Sequence, residues 1–439
     1  MDWKKWVCGI FIVGCLFVWG GFTNSWAGEA ELIDILKKKN ILTQEEADRI
    51  LEEAHSTSKK EKTEIKEEIT AEVKEDLKKS VDKGDFVPQA LKGFKFGTTI
   101  YSFWEGKSYF SGANANTNKF VLDRAYLTLT KDVNPWLGMN ITADVFNNTA
   151  PDSSTSYELR FKYAYADLKL FDTSTKIGIV PTPSDSYDSS IYPYRMQGKH
   201  YFDVIGIQSS ADVGIVNQGA LGGYMDSDYL QYGDKTFGGK WGGYMIGLYN
   251  GAGYDNFNEN NNNKAVSGLL YVRPLPTVSI LKGLQLAYVG TYGLSNNNFA
   301  APAPAGSSVT DYPSWRANIA QVSLVHPYFA IMGQYYWGSG LKTSTEEKNR
   351  NGYLVDGYVR IPGIEKLRVF GKYYTYDPDT SLTATSTTAK SEYSVYVAGL
   401  SYDLSKEFTP FVSWERENNK QFSSRTDYTR YQVGFQLKF

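Results

Sequence analysis

The sequence predicts an all-β transmembrane fold, an outer-membrane barrel of about 16 antiparallel strands, preceded by a helical and coiled-coil-like extension. Three observations predict it. The last segment alternates strictly, with Tyr431, Val433, Phe435, Leu437 and Phe439 on one side and Arg430, Gln432, Gly434, Gln436 and Lys438 on the other, so one face suits lipid and the other water. Phe439 is a terminal aromatic of the kind by which outer-membrane proteins are recognised for assembly. Beyond residue 27 no uninterrupted apolar run approaches the roughly 18 residues that a membrane-spanning helix needs.

Residues 1–27 read as a signal peptide. Lys4 and Lys5 precede an apolar run from Trp6 to Phe22, and Ser25-Trp26-Ala27 is a small-x-small cleavage site. Cys15 follows Ile12-Val13-Gly14 in a passable lipidation motif, but the apolar run continues past it. Cleavage would leave no cysteine in the mature chain, which excludes disulfides and thiolate metal sites.

Residues 28–90 form a separate compositional unit, acidic and without tyrosine, whereas all 33 Tyr lie in the remainder. Thr43 and Glu46 make a capping box at a helix start. From Lys59 to Lys83 the apolar residues Ile65, Ile69, Val73, Leu77 and Val81 recur every fourth position. That spacing favours a right-handed seam between paired helices; a lone helix carrying i,i+4 charge pairs is the alternative. The segment is expected in the periplasm, as a trimerising stalk with peptidoglycan or a periplasmic protein as a possible partner.

Residues 91–439 carry the dyadic pattern. Leu137, Met139, Ile141, Ala143 and Val145 oppose Gly138, Asn140, Thr142 and Asp144, and Leu159, Phe161, Tyr163 and Tyr165 oppose Glu158, Arg160, Lys162 and Ala164. Asp123 breaks the pattern by falling on the same side as Ala125 and Leu127. Candidate strands begin near residues 93, 119, 136, 157, 174, 207, 241, 264, 283, 315, 327, 351, 366, 391, 407 and 427. Gly-rich sequence between Ile215 and Lys240 could hide an excursion or two further strands. Tight turns at Asp132–Pro135, Val325–Pro327 and Pro362-Gly363 alternate with longer polar connections, which puts both barrel termini on the periplasmic side.

A barrel of this size encloses an aqueous channel. The connection from Pro181 to about Phe202 is long enough to be functional and is expected to fold inward and narrow that channel, bringing Arg195, Lys199 and His200 to the constriction beside Asp185 and Asp188. By alternation, Arg124, Arg160, Lys162, Arg360, Arg368, Lys372 and Arg430 line the lumen against Asp144, Glu158, Asp356 and Glu415. Basic lining favours anions, so a weak anion preference is expected.

Other functions find little support. His55, His200 and His326 are too scattered for a metal motif or a haem attachment site, and no cofactor is expected. A barrel hydrolase would need a nucleophile and base together at one rim, and His200 and His326 belong to opposite ends, so no enzyme is expected. No basic patch suggests nucleic acid.

The chain resembles the phosphate-selective porin family in its broad sense. The resemblance rests on ELIDILKKKNILTQEEADRIL, on LDRAYLTL at Leu122–Leu129 with the Asn134-Pro135-Trp136 turn, on SSADVGI at Ser209–Ile215 and on YNGAGY at Tyr249–Tyr254. It implies a sixteen-stranded trimeric porin of the outer membrane, in contact with lipid and admitting small hydrophilic solutes or anions. It does not carry phosphate specificity over, because the family's dense arginine ladder and lysine ring are missing here. A structural barrel tethered through its helices, or a scaffold for a separate electron-transfer protein, are the rival roles.

Overall fold

A computed structural model describes residues 45, 92–110, 116–149, 155–233, 235–256, 258–301, 303–304, 306–382, 392–419 and 426–439. The chain divides into two units, residues 1–92 and 93–439. The signal peptide lies outside the described residues, and so does the helical extension apart from the helical residue Glu45.

Sixteen strands close into one antiparallel barrel, each pairing with its sequence neighbours and the first with the last. They are β1 Phe94–Tyr109, β2 Thr117–Asn134, β3 Leu137–Thr149, β4 Thr155–Leu170, β5 Thr173–Pro181, β6 Ala211–Leu221, β7 Gly242–Tyr249 and β8 Ala265–Val272. The second half comprises β9 Leu284–Leu294, β10 Ser314–His326, β11 Phe329–Ser339, β12 Asn349–Ile361, β13 Ile364–Asp377, β14 Tyr393–Tyr402, β15 Phe408–Asn419 and β16 Tyr428–Lys438. The expected starts match all sixteen, and no further strand lies between Ile215 and Lys240 among the described residues.

Closure is made by the terminal residue. Phe439 N–H donates to the Thr98 carbonyl at 3.0 Å, and Thr98 N–H donates back to the Phe439 carbonyl at 2.8 Å, so β1 and β16 satisfy one another's edges. Phe94 and Phe439 therefore share one end of the barrel, called proximal here. Alternation produces the two faces expected of it: Tyr431 and Val433 are 55% and 54% exposed, whereas Gln432 between them is 1% exposed.

Proximal turns are built by local side-chain chemistry. The Asn134 Oδ1 accepts N–H bonds from Trp136 at 3.1 Å and Leu137 at 2.9 Å, so the asparagine supplies the turn's own acceptor. Between β4 and β5, Phe171 and Asp172 carry φ of 51° and 59°, the left-handed conformation of a two-residue hairpin turn.

Two bulges correct the simple alternation. In β4 the register with β3 shifts between Thr142 and Ala143, so that Phe161 pairs with Ala143 while Tyr163 pairs with Thr142. Lys162 is the extra residue, and beyond it Tyr163 and Tyr165 face the lumen and Ala164 faces outward, opposite to the sequence expectation. In β2 the register with β1 shifts between Tyr101 and Ser102, leaving Asp123 as the extra residue. A bulge re-aims the side chain it carries, and Asp123 turns into the lumen.

Candidate constriction and lumen

Residues 182–210, joining β5 to β6, cross the lumen. The crossing segment holds two helices, α1 Pro183–Ile191 and α2 Tyr201–Val204. Pro183 sits at the start of α1, where its missing N–H costs nothing, and Asp185 lies in the first turn, where a carboxylate suits the helix dipole. Thr182 fastens the base of the loop, its N–H donating to the Ser210 carbonyl at 3.1 Å and its hydroxyl to the Ser209 carbonyl at 2.7 Å.

From there the loop bonds successively to several walls. The Tyr187 hydroxyl donates to Gln285 Oε1 on β9 at 3.0 Å, and Gln334 Nε2 on β11 donates to Asp188 at 2.7 Å. Tyr194 stacks on Phe370 of β13 at 4.2 Å, a contact worth about 0.5–1.5 kcal/mol beyond its buried area. Gly399 makes room for it, since a Cβ there would meet the Phe370 ring at 2.3 Å. Gln197 donates to Glu415 of β15 at 2.8 Å, and the Tyr201 hydroxyl donates to the Thr375 carbonyl of β13 at 2.6 Å. Arg195 completes the crossing with a 3.0 Å ion pair to Asp123 of β2.

The residues expected from sequence separate into four groups. Arg124, Arg160 and Arg430 face the lumen but are paired with carboxylates. Asp144 takes Arg160 at 3.1 Å and Arg124 at 3.9 Å, while Arg430 bonds Glu415 at 2.5 Å and Glu105 at 3.4 Å. Arg360 and Arg368 lie toward the proximal end and share Asp403. His200 and Lys372, expected on the open lumen, are instead enclosed behind the loop at 4% and 7% exposure. His200 Nε2 lies 3.0 Å from the Ser189 hydroxyl, and Lys372 donates to the Lys199 carbonyl at 3.4 Å.

The fourth group lies between the loop and the wall carrying β4. Lys162 projects from the β4 bulge with its ammonium 4.8 Å from the Tyr126 ring and 5.4 Å from the Tyr163 ring. Among the described residues it makes no ion pair. Asp185 faces it from α1, in the field of Lys162, Asp203, Arg195 and Lys199. Enclosure raises the Asp185 carboxyl above its ordinary value, the three cations opposing that rise and Asp203 adding to it. Lys199 is exposed and pairs with Asp203 at 3.2 Å.

Behind the loop, burial pushes the Asp188 carboxyl well up, aided by the charges of Asp356 and Asp185, with Gln334 and Lys372 opposing. Burial holds the His200 imidazole well below its usual value, as do the charges of Lys372, Arg195 and Lys162. Both shifts favour the uncharged form, which suits a loop docked against a wall.

Sequence reasoning missed Asp123 as the anchor of Arg195 and Asp403 as the counter-charge of two arginines. The break in alternation at Asp123 was the available signal for the first. Asp403 sits in a proximal connection, where alternation says nothing.

No protein-family model matches the chain, and no curated protein matches it in sequence. Solved structures do match in fold. OprB of Pseudomonas putida superposes with a TM-score of 0.54 at 9% identity, over 79% of this chain and 94% of that one. An anion-selective porin from Comamonas acidovorans gives 0.52 at 12% identity, over 79% and 99%. OmpT of Vibrio cholerae, in its trimer form, gives 0.50 at 10% identity, over 79% and 99%. At these identities the likeness is one of fold, and the fold is that of an outer-membrane porin barrel.

Proposed function

We propose that the chain is a porin of a bacterial outer membrane, forming a water-filled channel for passive diffusion of small hydrophilic solutes, with its proximal end in the periplasm. The observation that supports this reading is the loop of residues 182–210, which crosses a closed sixteen-stranded barrel and sets Arg195 and Asp185 toward the charged β2–β4 wall. A barrel of this strand number has room for an aqueous path.

A weak anion preference belongs to the proposal and rests on charge accounting. Arg195 pairs with Asp123, Arg430 with Glu415 and Glu105, and Arg124 and Arg160 share Asp144, with Asp255 also 3.9 Å from Arg160, which leaves Lys162 as the basic group without an ion pair on that wall among the described residues. The same accounting gives no support to phosphate specificity. A homotrimer is proposed from the trimeric form of the Vibrio cholerae neighbour. Residues 1–27 are proposed as a removed signal peptide, residues 28–90 as a helical periplasmic extension and residues 91–439 as the barrel.

Swelling of proteoliposomes in isotonic sugars tests the reading. Swelling that slows steeply with solute size is expected. Proteoliposomes containing folded barrel but impermeable to the smallest sugar would reject it.

A further inference from the structure

Four of the proximal connections are two-residue turns, but residues 222–241, between β6 and β7, are far longer. This connection begins as a continuation of the hairpin. Trp241 N–H donates to the Leu221 carbonyl at 3.0 Å, Lys240 N–H to Gly223 at 2.8 Å and Met225 N–H to Gly238 at 2.8 Å. It then turns inward through a 3-10 turn at Tyr229–Gln231.

Its tip is buried. Phe237 is 5% exposed, with its ring edge-on to that of Tyr187 in α1 at 5.1 Å and to that of Tyr271 on β8 at 6.0 Å. Arg273, 1% exposed, secures this limb by donating Nη2–H to the Phe237 carbonyl at 3.2 Å, with its guanidinium 4.6 Å from the Tyr229 ring. The Tyr271 hydroxyl accepts from Gly239 N–H at 3.2 Å. The loop that crosses the lumen from the distal side is therefore met by a second segment arriving from the proximal side.

Lumen-facing Val216, Met245, Leu269, Val289 and Ile319, on β6 to β10, are at most 3% exposed. On β2 and β4, Lys162, Tyr163 and Thr128 remain partly open, although Tyr126, Thr142 and Asp144 beside them are buried.

We infer that the β6–β7 connection is a prop for the constriction. It holds α1 from the proximal side through Phe237 and closes the lumen beneath it. The solute path is thereby confined to the β1–β5 side, and the constriction responds to movement of residues 222–241. An aromatic contact makes this link, so losing the Phe237 ring loosens one of the holds on α1 while its bonds to Gln285 and Gln334 remain. The inference rests on the channel reading above.

The test compares the full-length wild type with Phe237→Ala in planar bilayers. The variant is expected to conduct about 1.5-fold more or better, because the narrowest point limits ion flow, and to flicker between sub-states that the wild type lacks. Conductance and noise identical to the wild type would overturn the inference, whereas a silent wild type would instead overturn the channel reading. Hydrogen exchange of the wild type guards against a variant that fails to fold. Residues 224–240 and 183–192 are expected to be protected together, and exchange in 224–240 as fast as in the distal segment 306–312 would equally overturn the prop.

Discussion

Arg195 and Asp123 meet at 3.0 Å across the lumen, and the contact exists because β2 carries an extra residue at Asp123 that turns the carboxylate inward. The pair ties the far side of the crossing loop to the wall opposite Tyr187. Both side chains are partly exposed, so solvent screens the attraction and the stabilisation is smaller than the roughly 3–5 kcal/mol lost when a fully buried pair is broken. Asp123→Asn is expected to leave the barrel folded while increasing open-channel noise. Arg195→Gln should do the same, and the double variant should be no noisier than either single one. Additive noise in the double variant would show that the two residues act separately.

Ion selectivity should depend on Lys162 more than on any lumen arginine. Reversing its charge with Lys162→Glu is expected to shift the reversal potential in a KCl gradient clearly toward cations. Arg160→Gln should shift it less, because Asp144 already neutralises Arg160 and retains Arg124 at 3.9 Å. Equal shifts would mean that paired and unpaired charges count alike.

The state of the loop should depend on pH in a definite direction. Docked, Asp188 is held neutral by a raised carboxyl value, and released it returns to about 3.8; docking therefore weakens as pH rises above that value. Docked His200 is held neutral by a lowered value, and released it returns to about 6.5; docking therefore weakens as pH falls below that. Between these limits release loses one proton and gains one, so docking is flat. Above about 6.5 only Asp188 contributes, and below about 3.8 only His200 does, each weakening docking by up to tenfold per pH unit. The groups facing them are Asp356, Asp185, Lys372 and Gln334 around Asp188, and Lys372, Arg195, Lys162 and Ser189 around His200. Single-channel noise should be lowest between about pH 4 and 6.5; Asp188→Asn should remove the alkaline rise and, with nothing opposing His200, start the acid rise below about pH 6.5. A monotonic profile would contradict this linkage.

The β4–β5 turn places two non-glycine residues in the left-handed region, Phe171 and Asp172. Asp172→Gly removes the Cβ penalty there and should stabilise the barrel by about 0.5–1 kcal/mol, less the added freedom of the unfolded chain. Equilibrium unfolding in urea with lipid vesicles would detect the change, and a lowered midpoint would show that Asp172 contributes more than its backbone strain costs.

Much of the barrel was legible because its code is short-range. Lipid and water impose a period of two, and that alone gave sixteen strand starts and the faces of β3 and β16. The same period misassigned Tyr163 and Tyr165, since one inserted residue at Lys162 inverts every position after it, and bulges are specified by contacts that alternation does not record. Lumen charges were legible as a list but not as pairs. Asp144 between two arginines, and Asp403 between two more, depend on register across strands. The inward turn of residues 222–241 had only a glycine-rich signal, because its destination, Tyr187, lies in another connection altogether.

The central claim is that residues 182–210 set the width of a conducting pore. Single-channel recording of the wild type against a variant in which residues 184–208 are replaced by a short Gly-Ser link tests it most directly. The account predicts stepwise, ion-conducting insertions for both, with a conductance several-fold larger for the variant, since the narrowest segment governs flow. Equal conductance, or a folded wild type that inserts without conducting, would contradict it.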